Sequence, residues 1–302
     1  MGINSYDNLS ALMLYTFDLP VFFFISGFLA YKDKTYDVKM IATEILKKIK
    51  YLVIPAIVFL TASCLINHRG IFYLVEHGFG RYWFTITLFE CFLIYYFLLA
   101  IFPKVIVKIL LIVISLAGIS LLSYKSGFGP RILDTNHLCK YFYFFSLGVF
   151  ARMYQTAFDR IIHNEWFKSI VILGFFFLLF LMDYKLFPAP VYHLLRDIIL
   201  RVMGTAIVVM LFALHSSTWE ASGRVIKLIN DIGKKSLAIY LLQYFFLPDL
   251  DCFKDVVTKF DNYTIYIISF VYTIIITFTC LVFIIILEKS KFVKEYVLGM
   301  RK

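Results

Sequence analysis

The apolar runs in this chain are too long and too numerous for the core of a soluble fold. Tyr51–Ile66 and Tyr263–Leu287 contain no Asp, Glu, Lys or Arg at all. A helix crossing a bilayer needs about 20 mostly apolar residues, or about 17 at the short end. Five runs meet that length clearly or nearly so: Leu9–Tyr31, Tyr51–Ile66, Tyr82–Phe102, Val105–Tyr124 and Tyr263–Leu287. Four more are shorter or interrupted: Leu138–Met153, Phe167–Phe187, Arg196–Leu214 and Ser236–Pro248. Each of these four reads as a spanning helix or as a buried or re-entrant segment. The chain is 61% hydrophobic and only 17% charged, so a water-soluble fold of this length could not hide its apolar surface. The runs are continuous and do not alternate with period two, which favours helices over a transmembrane barrel. The expected fold is all-α: a polytopic transmembrane helical bundle of about nine spanning helices. No repeat or linker divides it, so residues 1–302 read as a single integral membrane domain.

The net charge of +10 is spread between the apolar runs and not gathered on one face or tail. That pattern belongs to membrane topology and argues against a nucleic-acid partner. Cytoplasmic segments carry an excess of Lys and Arg. With the N-terminus outside, the inside segments take Lys47, Lys48 and Lys50, Lys234 and Lys235, and the tail Lys289, Lys291, Lys294, Arg301 and Lys302. The reverse orientation would place most of the basic residues outside. The expected orientation is therefore N-terminus outside and C-terminus cytoplasmic, in the cell membrane. The first ten residues hold no Lys or Arg and no signal-peptide pattern. Two readings follow: a helix preceding Met1, or a short tail translocated unaided.

Ionisable groups at membrane depth are costly and usually face a cavity or a partner. Three stand out: Asp18, two residues before Pro20; Glu90, within Tyr82–Phe102; and Arg201, within Arg196–Leu214. Glu90 and Arg201 are either site residues or a structural ion pair. Pro20 removes a backbone donor and can kink its helix beside Asp18, whereas an Asp18 at the outer interface would simply be hydrated. Ser26-Gly27 reads as helix packing through small residues, because no base lies near to activate the serine. The lysines of segment 32–50 could hold the phosphates of a nucleotide-type donor, and they also follow from topology alone. Trp83 and Tyr263 lie near run ends, as interfacial aromatics do. The sequons at Asn8 and Asn262 carry no weight. The five cysteines are scattered, and no His pair has ligand spacing, so no metal site is expected.

The aromatic-rich string Phe17-Asp18-Leu19-Pro20-Val21-Phe22-Phe23-Phe24-Ile25-Ser26-Gly27-Phe28-Leu29 resembles the second-helix motif of the acyltransferase-3 family of integral membrane acyltransferases. Lys47-Lys48-Ile49-Lys50, leading into Pro55, resembles the next element, a basic cluster before a proline-bearing helix. Tyr82–Phe89, Phe144–Val149 and Ile232–Gln243 are similar to three later family strings. The resemblance runs through nearly the whole chain.

It implies transfer of an acyl group, often acetyl, from acetyl-CoA or another acyl-CoA to a hydroxyl of a surface polysaccharide or other envelope substrate. It also implies a further helix, carrying an Arg and a His, ahead of the segment that begins here. Asp18 stands where many members have His, and Gln243 stands where His often ends the late motif. Both can hydrogen-bond a hydroxyl, but neither replaces a neutral imidazole as a base near pH 7. The expected site residues are Asp18, Glu90, Arg201 and Gln243 lining a cavity, with Trp83 and Tyr240 shaping it for substrate. The expected partners are the lipid bilayer and a glycan or lipid-linked acceptor. A transporter or flippase, or a non-catalytic relative, are the alternative classes.

Overall fold

The computed structural model describes residues 9–34, 36–66, 79–122, 135–183, 192, 194–214, 223–247 and 262–300. Every regular element among them is helical. In chain order these are α1 (Leu9–Ala30), α2 (Val38–Ile66), α3 (Trp83–Ile101) and α4 (Lys104–Leu122). Next come α5 (Thr135–Met153), α6 (Gln155–Ile162), α7 (Glu165–Asp183) and α8 (Arg201–Leu214). The last two are α9 (Arg224–Phe246) and α10 (Asn262–Leu287). Each of the apolar runs named above is helical over its described residues, apart from the end positions Tyr31, Phe102 and Leu247. Among the described residues, five helices are long and apolar enough to cross a membrane: Val38–Ile66, Gly80–Ile101, Lys104–Leu121, Glu165–Met182 and Ile267–Leu287. Their outward faces are apolar as well. Leu173 is 70% exposed and Phe270 69%, which suits contact with lipid and not with water.

The chain folds as two compact units, with the divisions falling inside α2 at Ile41 and inside α3 at Glu90. The first unit holds α1, the second part of α3, and α4 to α8. Within it α1 lies along α5 and also packs on α8, while α4 covers α5 and α7 packs on α8. Glycines permit the first of these contacts. A Cβ on Gly27 would overlap the carbonyl of Phe145, and a Cβ on Gly148 would overlap the carbonyl of Phe24. Two backbones thus approach as closely as only hydrogen side chains allow, the packing that small residues serve in membranes. Phe23, Phe144 and Phe145 fill the seam and are wholly buried. Ser115 on α4 and Ser146 on α5 join hydroxyls at 3.1 Å.

The second unit holds most of α2, the start of α3, and α9 and α10. Its core is a cluster of Ala56, Phe59, Leu60, Ala238, Leu241, Ile276 and Cys280. α2 is interrupted by a π-helical turn over Ile49–Val53, just before Pro55. Proline has no N–H to give to the carbonyl four residues back, that of Tyr51, and its ring crowds that carbonyl. The wider turn absorbs this mismatch. Gly299, at φ +64°, packs its backbone against the same carbonyl. A second such turn, Val293–Val297, packs on α2, and Lys50 and Glu295 join the two at 2.6 Å.

Candidate functional site

Arg201 is the largest fully buried polar side chain described, with no exposed surface. It opens α8 directly after a π-helical turn over Leu195–Leu200. Its Nη2 lies 3.4 Å from Oδ1 of Asp197, one helical turn earlier. Arg196 also binds that carboxylate, its Nη2 2.8 Å from Oδ2. The guanidinium of Arg201 lies over the ring of Tyr141, 5.7 Å from the centroid. Tyr141 in turn stacks on Phe23 of α1 at 4.8 Å and 11°. On its own helix it runs parallel to the imidazole of His137 at 6.3 Å. Tyr143 donates its hydroxyl to the Asp197 carbonyl at 2.9 Å. Thr205, one turn beyond Arg201, is buried, and its Oγ1 has no hydrogen-bond partner among the described residues. Three helices thus hold a buried cation in a fixed place. Such a cation, screened from water, can stabilise negative charge developing on a carbonyl oxygen or can grip an anionic group.

The other expected site residues fall in different places. Glu90 is buried in the first unit, beside the fully buried Cys91. Asp18 is exposed on α1, two residues from the buried Pro20. Trp83, Tyr240 and Gln243 belong to the second unit. There the structure brings Trp83 and Tyr240 to the same ring. Phe84 lies 6.3 Å from Trp83 and 5.4 Å from Tyr240. Tyr240 donates its hydroxyl to the carbonyl of Arg81 at 2.7 Å. It also meets Tyr244 edge to face at 5.5 Å, and Tyr244 meets Tyr82 at 5.3 Å. Gln243 is half-buried on the same helix. Tyr82 and Thr87 are buried, and neither hydroxyl has a hydrogen-bond partner among the described residues.

A cavity of about 600 Å³ in the second unit carries more cations than anions. Lys48, Lys234, Lys235 and Lys294 line it against Asp231 and Glu288. Lys235 and Glu288 form an ion pair at 3.2 Å. The cluster Lys47-Lys48-Ile49-Lys50 and the pair Lys234-Lys235, far apart in sequence, thus contribute to one wall system through Lys48, Lys234 and Lys235. Its size and charge suit a phosphate-bearing ligand.

Asp197, Tyr141 and His137 were not among the sequence candidates. The spacing of Asp197 and Arg201 is the usual i, i+4 signature of a helical ion pair and could have exposed the first of them. His137 and Tyr141 share that spacing on α5, but the contact of Tyr141 with Arg201 arises through tertiary packing and left no local signal. His68, His77, His193, His215 and Cys252 lie outside the described residues. Among the described residues no group of three His, Cys, Asp or Glu side chains is placed to hold a metal ion.

Helices of membrane length and apolar surface, in a structure whose described regular elements are all helical, define an integral membrane protein. Residues 2–288 match the model of the acyltransferase-3 family, described as an acyltransferase domain, and the chain belongs to that family. No curated protein and no solved structure matches it.

Proposed function

We propose that this chain is a membrane-bound O-acyltransferase of the cell membrane. It would move an acyl group, acetyl in the simplest case, from a CoA thioester to a hydroxyl of a cell-surface polysaccharide or other envelope glycan. The family match over residues 2–288 carries this reading. The basic cavity supports it. Lys48, Lys234, Lys235 and Lys294 come from segments that the charge pattern assigns to the cytoplasm, and they suit the phosphates of a CoA-type donor.

The reaction forms a bond between the acceptor oxygen and the thioester carbon and breaks the carbon–sulfur bond. A base takes the hydroxyl proton, and the departing thiolate receives a proton in turn. Arg201 is proposed to hold the developing oxyanion or the anionic donor, fixed for that task by Asp197 and Tyr141. Glu90 and Asp18 are proposed as carboxylates acting on the acceptor. Within the second unit, Gln243 is proposed to hydrogen-bond a substrate hydroxyl beside Trp83 and Tyr240. His137 backs the ring of Tyr141, over which Arg201 lies.

The test is incorporation of label from acetyl-CoA into envelope polysaccharide by cells expressing this chain. Arg201→Ala and Glu90→Ala should abolish incorporation while the protein remains in the membrane fraction. Undiminished incorporation in both variants would refute the assignment.

A further inference from the structure

The first unit contains an apolar cavity of about 410 Å³ that the acyl-transfer reading does not use. Its walls come from α1, α5, α6, α7 and α8, with Phe24, Phe144, Phe158, Phe167 and Met210 among them. Of the lining side chains, only Tyr154 and Thr205 carry a polar atom. Such a space is costly to leave empty and unattractive to water. It opens at the surface of the unit, since Leu147, Tyr154 and Ile161 on its rim are 41%, 50% and 47% exposed.

α6 forms one side of this opening. It is short and two-faced: Ile162 is buried, while Asp159 and Arg160 are exposed. Helices of this kind lie in the plane of the membrane interface, with the apolar face at acyl-chain depth. The preceding turn is basic. Ala151 and Tyr154 line the apolar cavity, and the intervening Arg152 and Met153 line a polar pocket of about 370 Å³ together with Lys32 and Asp33. Asp33 is already paired with Lys104 at 3.3 Å. Lys108 reaches the hydroxyl of Tyr154 at the cavity rim, at 3.0 Å. Arg152 lies over Phe28 and bonds Gln155. A hydrocarbon slot thus adjoins a cationic rim along one turn of backbone.

We propose that the first unit binds one anionic phospholipid, with an acyl chain in this cavity and the phosphate at Arg152 and Lys108. The ligand must be amphiphilic because the slot and the rim are contiguous. It must be anionic because Lys32, Lys104, Lys108 and Arg152 outnumber Asp33 in and beside the polar pocket, while Asp159 on α6 is accompanied by Arg160. Lipid is the occupant that reaches the opening laterally, from the bilayer that the apolar helices require. The proposal does not depend on acyl transfer.

Native mass spectrometry of the full chain released from micelles can test it, with phosphatidylglycerol and phosphatidylcholine of identical chains supplied together. The wild type should retain a single phosphatidylglycerol, at least about tenfold in preference to phosphatidylcholine. Arg152→Gln and Lys108→Gln should each weaken phosphatidylglycerol about fivefold, as expected for loss of one basic contact, and weaken phosphatidylcholine less, because its choline already offsets the phosphate charge. Ala206→Trp, which fills the slot, should remove both lipids. The two polar variants lie at the rim and test the proposal even if Ala206→Trp fails to fold. Equal retention of the two lipids by the wild type would overturn it, as would unchanged preference in the rim variants. Displacement by a long-chain acyl-CoA without discrimination between the lipids would assign the slot to a donor tail and also overturn it.

Discussion

Gly27 and Gly148 are reciprocal partners: each sits where a Cβ would strike the backbone of the other's helix, at Phe145 and Phe24 respectively. Neither obstacle is a flexible side chain that could turn away. Gly27→Ala or Gly148→Ala must therefore push α1 and α5 apart and loosen the buried Phe23, Phe144 and Phe145 between them. Overpacking of this kind costs about 1–3 kcal/mol, and backbone obstacles put it at the upper end. Thermal unfolding in detergent should show each single variant destabilised. The double variant should fall short of the sum, because one separation of the helices relieves both overlaps. Additive losses would mean that the two contacts are independent.

The pairing of Arg201 with Asp197 predicts an asymmetry between two substitutions. Asp197→Asn removes a carboxylate that faces a fully buried guanidinium and leaves that charge less compensated. Breaking a buried pair from one side costs about 3–5 kcal/mol, and the 21% exposure of Asp197 together with its second contact to Arg196 should bring this toward the lower figure. Arg201→Met removes the charge altogether and should cost less stability, while abolishing acetyl transfer under the proposed mechanism. Melting temperature and labelled transfer, measured on both variants, separate the structural role from the chemical one. A less stable Arg201→Met protein would place the main value of the arginine in folding.

If the basic cavity holds donor phosphates, Lys234→Gln combined with Lys235→Gln should raise KM for acetyl-CoA while leaving kcat nearly unchanged. Charge-assisted contacts to phosphate contribute about 1.5–3 kcal/mol each when well formed, so a tenfold rise in KM is a modest expectation. Lys235 also pairs with Glu288 at 3.2 Å, so Glu288→Gln serves as a control that removes the pair and keeps the cation. That control should hold or lower KM. An equal fall in kcat and kcat/KM for the double variant would instead place these lysines in a transition-state interaction.

Length and hydropathy made the helices legible, because a run such as Tyr263–Leu287 has no other stable form in a bilayer. The same logic missed α6 and the first half of α9. Gln155–Ile162 is too short for a spanning window, and Arg224–Lys235 too polar, so their helicity rests on amphipathic placement. Site residues divide in the same way. The burial of Arg201 and Glu90 was legible because charges within apolar runs are rare. The stack from Phe23 through Tyr141 to Arg201 was not, since it joins α1, α5 and α8, and no local pattern encodes which helices meet. Phe144–Val149, noticed as a family string, proves to contain Gly148, whose role is the close helix crossing.

Gly299 supports the last prediction. Its φ of +64° lies in the left-handed region, and a Cβ there would come within 2.5 Å of the Tyr51 carbonyl and 3.0 Å of the Pro55 ring. Alanine at this position meets two separate penalties: about 1 kcal/mol or more for the left-handed backbone, and a backbone overlap that only displacement can relieve. The displaced part would be the terminal segment, because α2 is anchored by Ala56, Phe59 and Leu60 in the core of its unit. Gly299→Ala should therefore release the segment around Val293–Val297 while α2 and α9 stay folded. Limited proteolysis read from a C-terminal tag should show faster loss of the tag with little change in global melting. Lys50→Gln removes the nearby link to Glu295 at 2.6 Å and should produce a weaker form of the same effect, since that pair is partly exposed to solvent. Unchanged tag lifetime in Gly299→Ala would show that the terminal segment is not held by its approach to Tyr51.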